Sequence, residues 1–164
     1  MGLSLQRPAR EAATYADMVR DFRWDIPETF NFGTDVVDRW AREQDGLALI
    51  WSNAAGEEKS FRYSDIAQLT NRFANVLRDG GVQKGDRVIV MLPRIPEWMI
   101  AIVGILKIGA VPIPCVEMLT SRDLDYRIEN SDAVAVVCRR EHIPKFAAQR
   151  SRLRLALALG GGEG

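Results

Sequence analysis

The spacing of apolar and polar residues changes along this sequence, and each kind of spacing predicts a helix or a strand. Two short stretches, LALIWSN (47–53) and EKSFRY (58–63), each fit a strand and are separated by AAGE, which is typical of an antiparallel β-hairpin. The stretch 64–81 has its apolar residues at helical spacing and ends in Gly80–Gly81. Ser64 stands where a helix N-cap is expected. We therefore predict a hairpin followed by an amphipathic helix.

From residue 87 onward, apolar runs without polar alternation take turns with helical patterns. The runs predict strands at 87–92, 110–115, 133–138 and 153–159, and the segments between them predict helices at 96–109, 121–131 and 141–150. Strands of this kind are buried on both faces, and single helices between them indicate parallel pairing with right-handed crossovers. Pro96 and Gly109 mark the ends of the first helix, and Thr120 or Ser121 is the candidate cap of the second.

The first part of the chain has weaker patterns. Residues 1–13 are polar and predict a loose N-terminus, whereas 14–24 and 34–43 each fit a short helix, the second with Thr34 as its N-cap. The predicted fold class is therefore α/β, with N-terminal helices and a β-hairpin followed by a βαβαβαβ parallel sheet. Because no helix follows the last strand, we expect this sheet to be an incomplete part of a larger domain.

Composition narrows the range of functions. Lys plus Arg and Asp plus Glu number 22 each, and this zero net charge argues against nucleic acid as the main partner. Cys115 and Cys138 form no CxxC pair, which favours a reduced, cytoplasmic chain. No targeting segment stands out, and the apolar stretch 98–106 is too short to cross a bilayer and predicts a buried helix.

Searches for catalytic motifs find little. The stretch 80–87 has Asp86 where a Walker-type phosphate loop needs lysine, and GGGEG (160–164) supplies only the start of a dinucleotide fingerprint. The single histidine, His142, is interpreted as a solvated surface residue, and no cluster of metal ligands is predicted. Paired acids Asp123 and Asp125 suit a helix start.

Basic residues crowd the C-terminal part of the chain and suit either a phosphate-bearing ligand or a solvated helix face. They are Arg139, Arg140, Lys145, Arg150, Arg152 and Arg154. The pattern leaves both interpretations open.

Three stretches taken together resemble the adenylate-forming superfamily. These are the opening motif FRYSDIAQLTNRFANVLRDGGVQKGDRVIVMLPRIPEW (61–98), the second core motif ILKIGAVPIPC (105–115) and the following unit LTSRDLDYRIENSDAVAVV (119–137). LPRIPEW, LDYRIENS and FNFGTDVVDRWA (30–41) are similar to the acyl-CoA synthetases, within them to the medium-chain and benzoate-type ligases. The resemblance covers residues 14–159, with peptide-synthetase adenylation domains and aryl-CoA ligases as related alternatives.

The resemblance implies an activity and its cofactors. Members form an acyl-adenylate and pyrophosphate from a carboxylic acid and ATP with Mg²⁺, and coenzyme A then gives acyl-CoA and AMP. The family's phosphate loop, rich in Ser, Thr and Gly and ending in lysine, has no counterpart in residues 1–164. The expectation is therefore an N-terminal portion of the AMP-binding domain over 14–164, which contains no catalytic residue and is inactive alone. The alternative is a stand-alone, non-catalytic α/β binding module.

The resemblance also implies one binding residue. In the medium-chain branch, the loop after Ile-Pro borders the coenzyme A channel, and a glutamine there can touch the ligand. That loop is CVEMLT (115–120) in this chain, and Met118 occupies the glutamine position without its amide. Pro112, Pro114 and Gly109 are interpreted as shapers of the backbone. Arg94, Glu97 and Trp98 are interpreted as structural.

Overall fold

The computed structural model describes residues 14–160, so the predicted loose N-terminus and the final glycines lie outside the described residues. The chain forms two units, one ending at Phe30 and one beginning at Asn31. Helix α1 of the first unit is Tyr15–Asp21 and is shorter than the predicted 14–24. Thr14 caps it, since its Oγ1 accepts from the amide of Asp17 at 3.2 Å.

The second unit begins with a π-helix, Phe32–Asp38, that continues into α2, Arg39–Glu43. The predicted cap Thr34 is wrong, because the helical segment begins earlier and Asn31 caps it. The Asn31 side-chain oxygen accepts from the amides of Gly33 and Thr34, at 2.9 and 3.3 Å. Its side-chain nitrogen donates to the Leu106 carbonyl at 2.8 Å, and this second role favours Asn31 as the cap.

The predicted hairpin is confirmed. Strand β1, Leu47–Ser52, pairs antiparallel with β2, Glu58–Arg62. The connection is tightened by Asn53, whose side-chain oxygen accepts from the amides of Ala55 and Glu57, both at 3.0 Å. This local turn chemistry explains why the hairpin could be predicted.

Helix α3, Tyr63–Asp79, follows the hairpin directly. Ser64 is not its cap, because the helix begins one residue earlier and the Ser64 amide donates to the Asp45 carboxylate at 2.8 Å. Asp65 accepts from the amide of Arg62 at 2.8 Å instead. At the other end, Gly81 has a φ of 82°, which confirms the predicted glycine stop.

The remaining elements form the predicted parallel sheet. In chain order they are β3 (Arg87–Met91), α4 (Pro96–Lys107), β4 (Val111–Pro114), α5 (Ser121–Ser131), β5 (Ala133–Arg139), a 3₁₀ helix (Arg140–Gln149) and β6 (Leu155–Leu159). All four strands run parallel in the order β4–β3–β5–β6. The helix predicted at 141–150 is present as a 3₁₀ helix with Pro144 inside it. Thr120 is the cap of α5.

The two central strands, β3 and β5, are buried on both faces, as their apolar runs predict, whereas the edge strands β4 and β6 are only partly buried. Val88 and Val90 of β3 pack with the cluster that includes Leu77 of α3 and Ile105 of α4. The alternate residues Ile89 and Met91 belong to the cluster on the other face, which includes Leu124, Ile128 and Phe146. Within the part of the chain that the structure describes, no helix has the length and apolar character needed to span a membrane.

Candidate functional site at the carboxyl edge of the sheet

The carboxyl ends of parallel strands are where α/β sheets usually bind ligands, and here three connections meet that edge. They are residues 92–95 after β3, residues 115–120 after β4, and the start of the 3₁₀ helix after β5. Met118 lies at this edge, in the turn between β4 and α5, and the residue is 87% exposed. The structure thus places the one sequence-predicted binding residue on an open surface.

The residue before Met118 is the centre of a polar network. The carboxylate of Glu117 accepts two hydrogen bonds from the Arg139 guanidinium, at 2.6 and 3.0 Å, and lies 3.0 Å from Nε2 of His142. Arg139 also lies 3.2 Å from the carboxylate of Glu141. Because β4 and β5 both end here, residues more than twenty positions apart meet in one cluster, which we call the Glu117 network (Glu117, Arg139, Glu141, His142 and Lys145).

Lys145 completes this network through the backbone of the turn. Its Nζ donates to the carbonyl of Glu117 at 2.7 Å and to that of Leu119 at 3.0 Å. These two carbonyls flank Met118 on either side. The next residue, Thr120, starts α5 with a capping box in which it exchanges hydrogen bonds with Asp123.

Two opposing effects act on the pKa of Glu117 in this network. Burial alone would raise the pKa of Glu117, but the hydrogen bonds and charges of Arg139 and His142 together lower it below its ordinary value. The hydrogen bond to Glu117 raises the pKa of Arg139. The side chain of His142 is only 14% exposed, so the predicted solvated surface position of this residue is wrong.

The basic residues near the C-terminal end do not gather into one phosphate site. Arg139 and Lys145 are bonded within the Glu117 network, whereas Arg154 binds Asp86 at 3.0 Å and the Gly81 carbonyl at 2.7 Å. Arg140 donates to the Gly160 carbonyl at 2.8 Å. The remaining two, Arg150 and Arg152, are exposed.

One group of potential metal ligands comes together within residues 14–160. The ligand atoms of Glu117, Glu141 and His142 all lie within 4.8 Å of one another. Mg²⁺ prefers oxygen ligands and keeps several of its waters. The two carboxylates of this group are already paired with the Arg139 guanidinium, so the group does not fit Mg²⁺. The predicted Mg²⁺ of the family therefore has no matching donor set among these residues, and we derive no step through it.

The two cysteines lie near the same edge but are not nucleophiles. Both are buried free thiols. Burial raises the pKa of Cys115, and burial together with the charge of Glu117 raises that of Cys138 to about 11. Because a thiolate is the reactive form, neither side chain is poised for covalent chemistry near neutral pH.

A pocket lies at the end of β3, apart from the Glu117 network. It is an apolar pocket of about 370 Å³ between the hairpin and the connection to α4, with Leu49, Trp51, Leu92, Arg94, Trp98 and Met99 among its lining residues. The indole of Trp51 donates to the Arg94 carbonyl at 2.8 Å, which ties the two walls together. Sequence reasoning missed this pocket, because residues more than forty positions apart form it.

The comparisons with known proteins agree with this geometry. The family model of the AMP-binding enzyme matches residues 36–160. The human mitochondrial acyl-coenzyme A synthetase ACSM3 is 37% identical over an alignment that covers 85% of this chain, and the rat mitochondrial acyl-coenzyme A synthetase ACSM2 is 37% identical over 76% of it. The crystal structure of a Brucella canis acyl-CoA synthetase covers 92% of the chain with a TM-score of 0.81 and 26% identity.

The chain therefore belongs to the AMP-binding enzyme family. Its fold is also that of the N-terminal domain of FACL13 from Mycobacterium tuberculosis, which covers 80% of the chain with a TM-score of 0.68 and 23% identity. The chain spans 28% of the length of human ACSM3 and 29% of the Brucella structure. What these proteins do as a whole thus informs a proposal for this chain.

Proposed function

We propose that this chain is the part of an ATP-dependent acid–CoA ligase that carries one wall of the coenzyme A channel. The activity is the conversion of a carboxylic acid to acyl-CoA through an acyl-adenylate, with release of pyrophosphate and AMP. The observation that carries the proposal is the family match over residues 36–160, together with curated relatives that are named acyl-coenzyme A synthetases. The carboxyl-edge position of the 115–120 turn supports the coenzyme A assignment.

The residues of this chain contribute positioning rather than chemistry. Met118 presents an exposed thioether and methylene groups, which offer apolar contact to the pantetheine arm of coenzyme A. ATP phosphates need a Gly-rich loop with a lysine, which the sequence of residues 1–164 does not contain. We therefore propose that ATP binding and the catalytic residues belong to sequence outside this chain.

The decisive experiment uses the protein purified from its source cells at its native length. It would be incubated with ATP, MgCl₂, coenzyme A and a panel of medium-chain and aromatic carboxylic acids, and acyl-CoA would be detected by mass spectrometry. We expect acyl-CoA with at least one acid and none when ATP or coenzyme A is omitted. Recombinant residues 1–164 should neither catalyse pyrophosphate exchange nor bind ATP tightly, and detectable exchange would contradict this division of roles.

The same preparation distinguishes the ligase from a second candidate function, that of a stand-alone binding module. The apolar pocket beside Trp51 is the observation that favours a binding role without catalysis. A native protein that shows cooperative unfolding as a monodisperse species but forms no acyl-CoA would support the module.

We further propose a cytoplasmic location, which the two free thiols support. The curated relatives carry "mitochondrial" in their names. Immunoblotting of cytosolic and organelle fractions from the source cells decides between the two locations, and enrichment in an organelle fraction would overturn the cytoplasmic proposal.

A further inference from the structure

The turn that carries Met118 combines a fixed backbone with a free side chain. One ammonium, Lys145 Nζ, bridges the carbonyls on both sides of Met118 at 2.7 and 3.0 Å. Met118 itself is 87% exposed. The ammonium thus restrains the backbone of the turn and leaves the Met118 side chain uncovered.

Glu117, whose backbone carbonyl binds Lys145, is also fixed through its side chain. Arg139 binds the Glu117 carboxylate with two nitrogens, and His142 binds the same carboxylate from the 3₁₀ helix. Bidentate guanidinium–carboxylate pairs fix orientation as well as distance. The Glu117 side chain is 19% exposed, so solvent competes weakly with these bonds.

The two ends of the turn are pinned as well. The amide of Cys115 donates to the Val90 carbonyl at 2.9 Å, which attaches the start of the turn to β3. At the far end, Thr120 and Asp123 form the capping box of α5. Residues 115–120 are thus fixed at the start, at the tip and at the end.

We propose that Glu117 and Lys145 are positioning residues, which hold the backbone on both sides of Met118 so that its Cα stays at one place on the wall of the coenzyme A channel. This inference rests on the proposed function. The polar atoms of both residues are already used within the protein, so they act through Met118 rather than on the ligand. Fixing a contact group before the ligand arrives lowers the cost of ordering it on binding.

The test compares Lys145→Met and Glu117→Gln with two matched control variants in the native-length protein. Lys84→Met and Glu58→Gln make the same chemical changes at exposed positions, the first in the turn before β3 and the second on the hairpin. We expect the KM for coenzyme A to rise by about tenfold in both network variants, with the KM for ATP and for the acid unchanged. Lys145→Arg should restore part of the affinity, since a guanidinium can still donate to both carbonyls.

Hydrogen exchange measured by mass spectrometry gives an independent readout. We expect faster exchange of the amides of residues 117–119 in the network variants and no change in β3 and β5, which belong to the core. Unchanged exchange at 117–119 would overturn the inference that Glu117 and Lys145 hold the backbone of this turn. Faster exchange with an unchanged KM for coenzyme A would overturn the positioning role while leaving the ligase proposal intact.

Two further outcomes are distinguishable. A uniform loss of activity toward all three substrates would mean a general structural role and would overturn the inference. A wild-type protein that forms no acyl-CoA would overturn the proposed function and this inference with it. If Lys145→Met does not fold, Glu117→Gln, which keeps the side-chain shape, supplies the comparison.

Discussion

Lys107 makes the most informative target for a stability experiment, because its ammonium is almost completely buried. The side chain is 5% exposed and its Nζ lies 2.5 Å from Asp38, 2.7 Å from the Asn71 side-chain oxygen and 3.3 Å from the Ala67 carbonyl. These contacts join the π-helix, α3 and α4. Replacement by methionine keeps the apolar stem and removes the charge.

The expected cost follows from the partners that are left behind. Breaking a buried ion pair costs about 3–5 kcal/mol, since the remaining charge is buried without compensation. Asp38 is 18% exposed, so water solvates part of its carboxylate, and we take the lower end of the range. We predict that Lys107→Met lowers the free energy of unfolding by about 3 kcal/mol.

Urea unfolding of the four members of a double-mutant cycle measures this cost. The members are the wild type, Lys107→Met, Asp38→Asn and the double variant. Because Asp38→Asn removes the stranded charge, the double variant should be hardly less stable than Lys107→Met, with a coupling energy of about 2 kcal/mol. Arg20→Met is the control, since Arg20 pairs with Asp17 at an exposed site and its loss should hardly change the free energy of unfolding.

Two results would refute this reasoning. One is a cost below about 1 kcal/mol for Lys107→Met, which is the range of surface pairs. The other is strict additivity of the two single variants, which would mean that Lys107 and Asp38 do not stabilise each other in the folded protein.

Three other predictions test separate parts of the account. Gly104→Ala should lower the free energy of unfolding by about 1–3 kcal/mol, because the new Cβ would lie 2.7 Å from Phe73 and 3.2 Å from the Thr70 carbonyl. Urea unfolding measures this cost, and an unchanged midpoint would mean that α3 and α4 separate easily. Cys138 has its pKa raised by burial from 9.0 to about 11, so the folded state keeps a proton that the unfolded chain loses. Its contribution to stability is therefore full below pH 9 and is lost as the pH rises toward 11, and Cys138→Ala should flatten the alkaline limb of a stability-versus-pH curve. Met118→Gln should lower the KM for coenzyme A several-fold in the native-length protein, since an amide adds hydrogen bonds that a thioether lacks; an equal or higher KM would remove Met118 from the channel.

Much of the fold could be predicted because its signals are local. The four strands and their parallel direction follow from unbroken apolar runs separated by single helical segments, whereas their order in the sheet came only from the structure. The hairpin follows from turn residues between two short runs. Neither prediction needs knowledge of distant contacts.

The helix caps show where local reasoning ends. Thr34 and Ser64 are good caps by residue type, but Asn31 and Asp65 take over the capping hydrogen bonds. Asn31 does so while it also binds the Leu106 carbonyl, a contact between residues far apart in sequence. The choice among equivalent polar residues thus depends on tertiary structure.

The Glu117 network was missed for a similar reason. Glu117 and Arg139 are separated by a helix and a strand, and each alone looks like an ordinary surface residue. A signal was nevertheless available, because Glu117 and Arg139 both lie at the carboxyl ends of strands that the sequence predicts for one parallel sheet. Carboxyl ends of such strands meet at one edge, so charged residues of opposite sign at two strand ends predict a contact.

Formation of acyl-CoA by the native protein tests the central claim most directly. The protein would be purified from its source cells and supplied with ATP, MgCl₂, coenzyme A and the panel of acids, with acyl-CoA read out by mass spectrometry. The account predicts acyl-CoA from at least one acid, and it predicts that product formation stops when coenzyme A or ATP is omitted. A pure, folded native protein that forms no acyl-CoA with any acid of the panel would contradict it.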